Sequence, residues 1–266
     1  MKDFCRIDGS NIHYNLEGNG DCIIFLHGYL ENLTIWDDYA AVLSNDYKVL
    51  RIDLPGHGLS ISKLDLISMD YMAKCLNAVL TSMNIPKGLL IGHSMGGYAS
   101  LAFAEKYPEK LSGLCLFHST PNPDTEEKRL ARRRDIDLLI HGRKEVIVNT
   151  NIPKLFATDR LEELRSEVDH AKDMALSTPE KGIIGSLRGM SERPDRKHIF
   201  QEISCPSMMI FGVKDNLIPM TMAEYLAENN RKTRTVFLNN SGHMGFIEDR
   251  DQALNEIISF CKVVFR

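Results

Sequence analysis

The segment Gly92-His93-Ser94-Met95-Gly96-Gly97 sets one serine among small residues. The apolar run Gly88 to Ile91 precedes it, and a helix-length segment from Tyr98 follows. A serine in such a strand–turn–helix stands on a tight elbow above a sheet edge, where only small neighbours fit. The helix behind it favours negative charge at its amino end. That setting suits attack on a carbonyl, provided a base takes the hydroxyl proton. Two later loops offer the missing groups. Asp215 follows the run Met208 to Phe211, in Gly212-Val213-Lys214-Asp215-Asn216, and His243 follows Thr235 to Leu238, in Asn239-Asn240-Ser241-Gly242-His243. The order Ser94, Asp215, His243 fits a triad in which His243 is general base and then general acid, while Asp215 orients its ring. Asp124, just after the run Leu114 to Phe117, is the rival acid. Glu248 and Asp249 lie nearer to His243 in sequence and read as helix-start charges. An oxyanion would need donors. The backbone N–H of Met95 is one, and that of Tyr29, which Gly28 allows to approach in His27-Gly28-Tyr29, is the second.

These residues need a scaffold that brings three distant loops to one edge. Two alternating segments, Phe4 to Ile7 and Asn11 to Leu16, flank Asp8-Gly9-Ser10 and predict an N-terminal hairpin. After it, short apolar runs alternate with helix-length segments. The runs are Cys22 to Leu26, Tyr47 to Ile52, Gly88 to Ile91, Leu114 to Phe117, Met208 to Phe211 and Thr235 to Leu238. Runs that are apolar throughout suit strands buried on both faces of a parallel sheet. Helices are expected over Met69 to Met83, Tyr98 to Tyr107, Met220 to Glu228 and Asp251 to Val263, with Asp70, Pro219 and Asp249 as start signals. The alternation means an α/β architecture with right-handed crossovers. It stops between Pro121 and Phe200, a charged, helix-rich stretch with 16 Lys/Arg against 15 Asp/Glu. The flanking strands need each other, so residues 121–200 read as a helical insertion into a core of residues 1–120 and 201–266.

Composition excludes other classes. The chain has 266 residues, 43% of them hydrophobic, which is enough to bury a core without metal or disulfide staples. Lys+Arg 32 against Asp+Glu 36 gives a net charge of -4, which argues against nucleic acid as the main partner. The start, MKDFCRIDGS, lacks the apolar core of a signal peptide, and no apolar run is long enough to cross a bilayer. The expected compartment is the cytoplasm, with no membrane partner. Six cysteines form no CxxC and sit mostly in apolar segments, so they read as reduced thiols.

The motifs HGYLENLTIW, DLPGHGLS, IGHSMGGYAS, GVKDNLIP and SGHMGFIEDR together resemble the α/β-hydrolase fold superfamily, in its capped serine esterase and lactonase-like branch. The resemblance runs from about Phe4 to Phe260 and is weakest in the insertion. It implies an eight-stranded, mostly parallel sheet flanked by helices, a helical cap over the site, and a Ser-His-Asp site without cofactor or metal. Serine at the nucleophile position separates the chain from the family's dehalogenases and epoxide hydrolases, which use aspartate there. The reading is a serine hydrolase that cleaves a small carboxylic ester, thioester or lactone through an acyl-enzyme. Two alternatives share the residues: carbon–carbon bond hydrolysis or a proton-abstraction and elimination step like that of the menaquinone-pathway synthase, and a small-molecule receptor with little turnover. The first of these alternatives predicts a charged pocket, with cap arginines near Ser94 holding carboxylates. Substrate specificity and oligomeric state are not encoded legibly.

Other conspicuous residues have plainer readings. His57, in Asp53-Leu54-Pro55-Gly56-His57-Gly58, belongs to a turn that the family keeps, and His93 reads as packing at the elbow. His118, His13, His141, His170 and His198 show no metal-ligand spacing. Arg132-Arg133-Arg134 reads as a solvated helix face, and Trp36 as a core or cap-contact aromatic.

Overall fold

The computed structural model describes residues 3–8 and 10–266. The N-terminal hairpin pairs β1 (Asp3–Ile7) with β2 (Ser10–Glu17); the expected turn includes Gly9, which lies outside the described residues. The remaining strands are β3 (Cys22–Leu26), β4 (Lys48–Ile52), β5 (Gly88–His93), β6 (Leu111–Phe117), β7 (Ser207–Gly212) and β8 (Arg234–Leu238). They form one eight-stranded sheet in the order β1-β2-β4-β3-β5-β6-β7-β8. β2 runs antiparallel to its neighbours, and every pairing from β4 through β8 is parallel.

The pattern of burial explains which strands lie where. Every residue of β3, β5 and β7 is buried, as expected for strands covered by helices on both faces. The edge strands β1 and β8 expose part of their residues instead. The covering helices include α1 (Asp37–Leu43), α2 (Met69–Ser82) and α3 (Met95–Lys106), then α9 (Met220–Asn229), the short α10 (Gly245–Glu248) and α11 (Arg250–Val264). α2 starts from Ser68, whose hydroxyl accepts the Tyr71 N–H; Asp70 sits in the first turn rather than at the cap. Trp36 is fully buried in the core, tilted against Phe25 at 4.7 Å between ring centroids and edge-on to Phe117 at 5.7 Å.

Between β6 and β7 the chain runs through α4 (Glu126–Ile140), α5 (Lys144–Asn151), α6 (Arg165–Ser177), α7 (Glu180–Ser191) and α8 (Lys197–Gln201). α7 joins this stretch to the rest of the molecule through three glycines. A Cβ on Gly182 would lie 1.9 Å from the Gly56 carbonyl oxygen, and one on Gly189 would lie 1.9 Å from that of Ile67. Between them, the Gly185 carbonyl accepts the Ile67 N–H at 3.0 Å. Backbone therefore packs on backbone here, which only glycine permits.

Candidate active site

Ser94 lies between β5 and α3 with φ 48° and ψ -112°, a conformation that costs a non-glycine residue of order 1–3 kcal/mol and persists only when the surroundings enforce it. They do. The Ser94 N–H donates to the Phe117 carbonyl at 2.9 Å, and Ser119 Oγ donates to the Ser94 carbonyl at 2.8 Å. The glycines beside it are required by contact: a Cβ on Gly92 would lie 2.5 Å from the Gly96 carbonyl, and one on Gly96 would lie 2.7 Å from the carbonyl oxygens of Leu26 and His27.

His243 reaches the same region from the loop after β8. Its Nδ1 is 2.7 Å from Asp215 Oδ2. Asp215, on the loop after β7, accepts the N–H groups of Leu217 (2.7 Å) and Ile218 (3.0 Å) on its other oxygen. Burial works against the carboxylate charge, but His243 and the neighbouring His118 outweigh it and hold the Asp215 pKa far below the usual carboxylate range. Asp215 therefore stays an acceptor and fixes the proton of His243 on Nδ1. Nε2 of His243 is buried, has no hydrogen-bond partner among the described residues, and so makes no direct bond to Ser94. Both residues line one cavity of about 230 Å³.

His118 lies beneath this pair, its Nδ1 3.4 Å from Asp215 Oδ2. The Gly212 N–H donates to the same nitrogen at 3.2 Å, which makes Nδ1 an acceptor and the approach to Asp215 a contact rather than a hydrogen bond. Burial pushes the His118 pKa down to about 4, so this histidine is neutral. His118, Asp215 and His243 hold ligand atoms close together, but the bonds just described already engage Asp215 and the Nδ1 atoms.

The loop after β3 supplies the next wall. Tyr29 lines the cavity, and Met95 directly follows Ser94 as the first residue of α3. Neither N–H makes a backbone hydrogen bond among the described residues. His27 anchors this loop: Leu54 N–H donates to its Nε2 (2.9 Å), and its Nδ1 donates to the Gly28 carbonyl (2.7 Å). Burial lowers the pKa of His27 well below its ordinary value, in keeping with that neutral form.

Several sequence readings are revised. Asp124 is not available as the acid, because its buried carboxylate is bound by Arg132 (Nε at 2.5 Å) and Arg193 (Nη1 at 2.6 Å). Arg132 is accordingly not a solvated side chain, although Arg133 and Arg134 are exposed. Glu248 and Asp249 do stand at helix starts, Glu248 in the single turn of α10 and Asp249 at the N-cap of α11, but their side chains turn back to the loop before them. Glu248 accepts N–H groups from Ala157, Gly242 and Met244, while Asp249 accepts the Asn240 N–H and the Ser241 hydroxyl, so both fix the loop that carries His243. Glu31 belongs to no motif that marks it as functional, yet its buried carboxylate stands at the cavity wall against Gly28 and His93. The local signal for it was an acid three residues after Gly28; its partner His93 is remote in sequence.

The sequence matches the family described as alpha/beta hydrolase fold over residues 21–250. A 2-hydroxy-6-oxononadienedioate/2-hydroxy-6-oxononatrienedioate hydrolase of Burkholderia vietnamiensis is 27% identical, with 94% of this chain and 91% of that protein aligned. A pimeloyl-[acyl-carrier protein] methyl ester esterase of Nitrosomonas europaea is 25% identical over 91% of this chain and 96% of its own length. The structure of a thermophilic esterase from Thermogutta terrifontis superposes with a TM-score of 0.94 and 26% identity, covering 99% of each chain. No helix among the described residues is long and apolar enough to cross a membrane. With that match across most of its length, and with hydrolases among its relatives, the chain belongs to the α/β-hydrolase fold family and is a hydrolase of that fold.

Proposed function

We propose that this hydrolase cleaves a small carboxylic ester, thioester or lactone through an acyl-enzyme on Ser94. The observation that supports the reading most is the convergence of Ser94 and His243 on one cavity, with the far nitrogen of His243 held by Asp215. In this mechanism Ser94 Oγ turns toward Nε2 of His243 and attacks the carbonyl carbon while Nε2 takes its proton. Asp215 keeps the ring in the right tautomer and stabilises the imidazolium that forms. The oxyanion receives the N–H groups of Met95 and Tyr29. His243 then protonates the leaving group, the carbon–oxygen or carbon–sulfur bond breaks, and water activated by His243 releases the acid. Cofactors and metals have no step in this scheme.

A cavity of about 230 Å³ is below the roughly 300–1,000 Å³ of sites for larger organic ligands, which favours a small substrate. In this reading residues 121–200 form the cap, since Lys128, Arg132, Asn151 and Leu187 line the same cavity as Ser94. Six unpaired cysteines, five of them buried, fit a reducing compartment and support assignment to the cytoplasm.

A second reading, hydrolysis of a carbon–carbon bond in an anionic substrate, is favoured by one observation. Lys128 and Lys154 line the cavity, and neither forms an ion pair among the described residues. The expected cap arginine is also there, but Arg132 is bound to Asp124.

Steady-state hydrolysis of nitrophenyl esters from acetyl to dodecanoyl separates the readings. The proposal expects robust turnover of short esters that falls by about a thousandfold or more in Ser94→Ala. Turnover that survives Ser94→Ala would remove the acyl-enzyme mechanism, and a folded wild type without turnover would shift the assignment to the carbon–carbon reading.

A further inference from the structure

His93 and Glu31 form a buried pair in the wall of the candidate site, with His93 1% and Glu31 5% exposed. Both ring nitrogens of His93 face acceptors. Nε2 is 2.9 Å from the backbone carbonyl oxygen of His243, and Nδ1 is 2.9 Å from Glu31 Oε2. A carbonyl only accepts, so Nε2 carries a proton. The same Glu31 oxygen also accepts the Gly28 N–H at 2.5 Å, so it stands as an acceptor between two donors and the second proton lies on Nδ1. The pair is thus an imidazolium and a carboxylate, neutral as a unit.

What the pair touches gives it a role. Glu31 grips Gly28, the residue before the Tyr29 amide, and His93 grips the backbone of His243. Gly28 has no room for more, since a Cβ there would meet Glu31 Oε2 and His93 Nδ1, both at 2.7 Å. We propose that the Glu31–His93 pair is a proton-holding clamp that fixes the oxyanion loop and the His243 loop relative to each other, making both residues positioning residues for the reaction. The inference rests on the proposed acyl-transfer reading of the site.

The charge on His93 is maintained by its surroundings. Burial alone would lower its pKa, but the Glu31 carboxylate, the His243 carbonyl and the more distant Asp215 together raise it above the ordinary histidine value. The other titratable neighbours are His118 and His243, with ring centroids at 6.1 and 5.1 Å, and His27 on the oxyanion loop. Phe117 and Phe246 close the remaining sides edge-on. A raised pKa means that this contribution is complete below the ordinary histidine value and is lost as pH rises through the folded-state value. Loss of the Nδ1 proton would leave a lone pair facing a carboxylate, and the clamp would open.

The experiment combines the pH dependence of kcat and kcat/KM, on the best nitrophenyl ester, with 15N spectra of histidine-labelled protein. Wild type should show two ring N–H signals for His93 at neutral pH, assigned by their disappearance in His93→Gln. Glu31→Gln should leave the acid limb of the profile in place, move the alkaline limb to lower pH by about 1 unit or more, and lower kcat with little change in KM. Glu31→Asp should restore part of the shift. A neutral His93 in the wild-type spectrum, or a Glu31→Gln profile that overlays wild type, would overturn the clamp. If the variants fail to fold, the wild-type signals, assigned instead by through-bond correlation to the His93 backbone, still decide the protonation. Absence of Ser94-dependent turnover would instead overturn the reaction reading, and the positioning role with it.

Discussion

Asp215 accepts two backbone N–H groups on one oxygen and faces His243 Nδ1 with the other. Replacing it by asparagine keeps the shape but can favour the wrong imidazole tautomer. Asp215→Asn should therefore fold and lose roughly a thousand- to ten-thousandfold in kcat, measured on the same esters at neutral pH. Glu248 has a different effect. Its carboxylate satisfies three buried amides, so Glu248→Ala should destabilise the protein by at least about 2 kcal/mol in urea titration and reduce kcat by loosening the His243 loop. The two acids also differ in legibility. Asp215 follows a strand and precedes the segment with His243, an order that local motifs make readable. Glu248 stands beside α11, so sequence proximity suggests a helix charge; its real partners come from Ala157, 91 positions away, and from the preceding loop. Glu31 was hidden for the same reason, because 62 positions separate it from His93.

At the level of elements, the strands were readable because burial on both faces makes them apolar without interruption. The predicted Cys22 to Leu26 matches β3 residue for residue, and Leu114 to Phe117 is the buried C-terminal part of β6. The helices of residues 121–200 gave no such signal. α4 is highly charged, buries only Leu139, and turns Arg132 inward to Asp124 while its neighbours face solvent. α7 was equally opaque, because its contact face is made of absent side chains rather than apolar ones. Gly182, Gly185 and Gly189 let it lie on the Gly56 and Ile67 backbone. Gly182→Ala should thus cost about 1–3 kcal/mol and shift α7 away from the core. The check is a lower urea midpoint together with faster proteolysis within residues 121–200; an unchanged midpoint would refute the docking argument.

On the scale of the whole molecule, the sheet brings distant loops to one edge at the expense of burying several histidines as neutral bases. Burial holds His57 and His118 at about 4, and lowers His27 as well. The unfolded chain takes up these protons at a higher pH than the folded one. Stability from this source is complete above the ordinary histidine value and is lost as pH falls toward 4, by up to about 1.4 kcal/mol per pH unit for each histidine. Urea unfolding at pH 7, 6 and 5 should show that decline, and His118→Asn, if it folds, should flatten it. Flat stability over this range would mean that these rings are not held neutral.

The central claim is that Ser94 is the nucleophile and that His243, held by Asp215, activates it. It is tested most directly by treating the folded protein with a reactive alkyl phosphonate and locating the adduct by peptide mass spectrometry. A single adduct on Ser94, forming at least about a hundredfold more slowly in His243→Ala, is the expected result. An adduct on another residue, or labelling of Ser94 at the wild-type rate without His243, would contradict the mechanism.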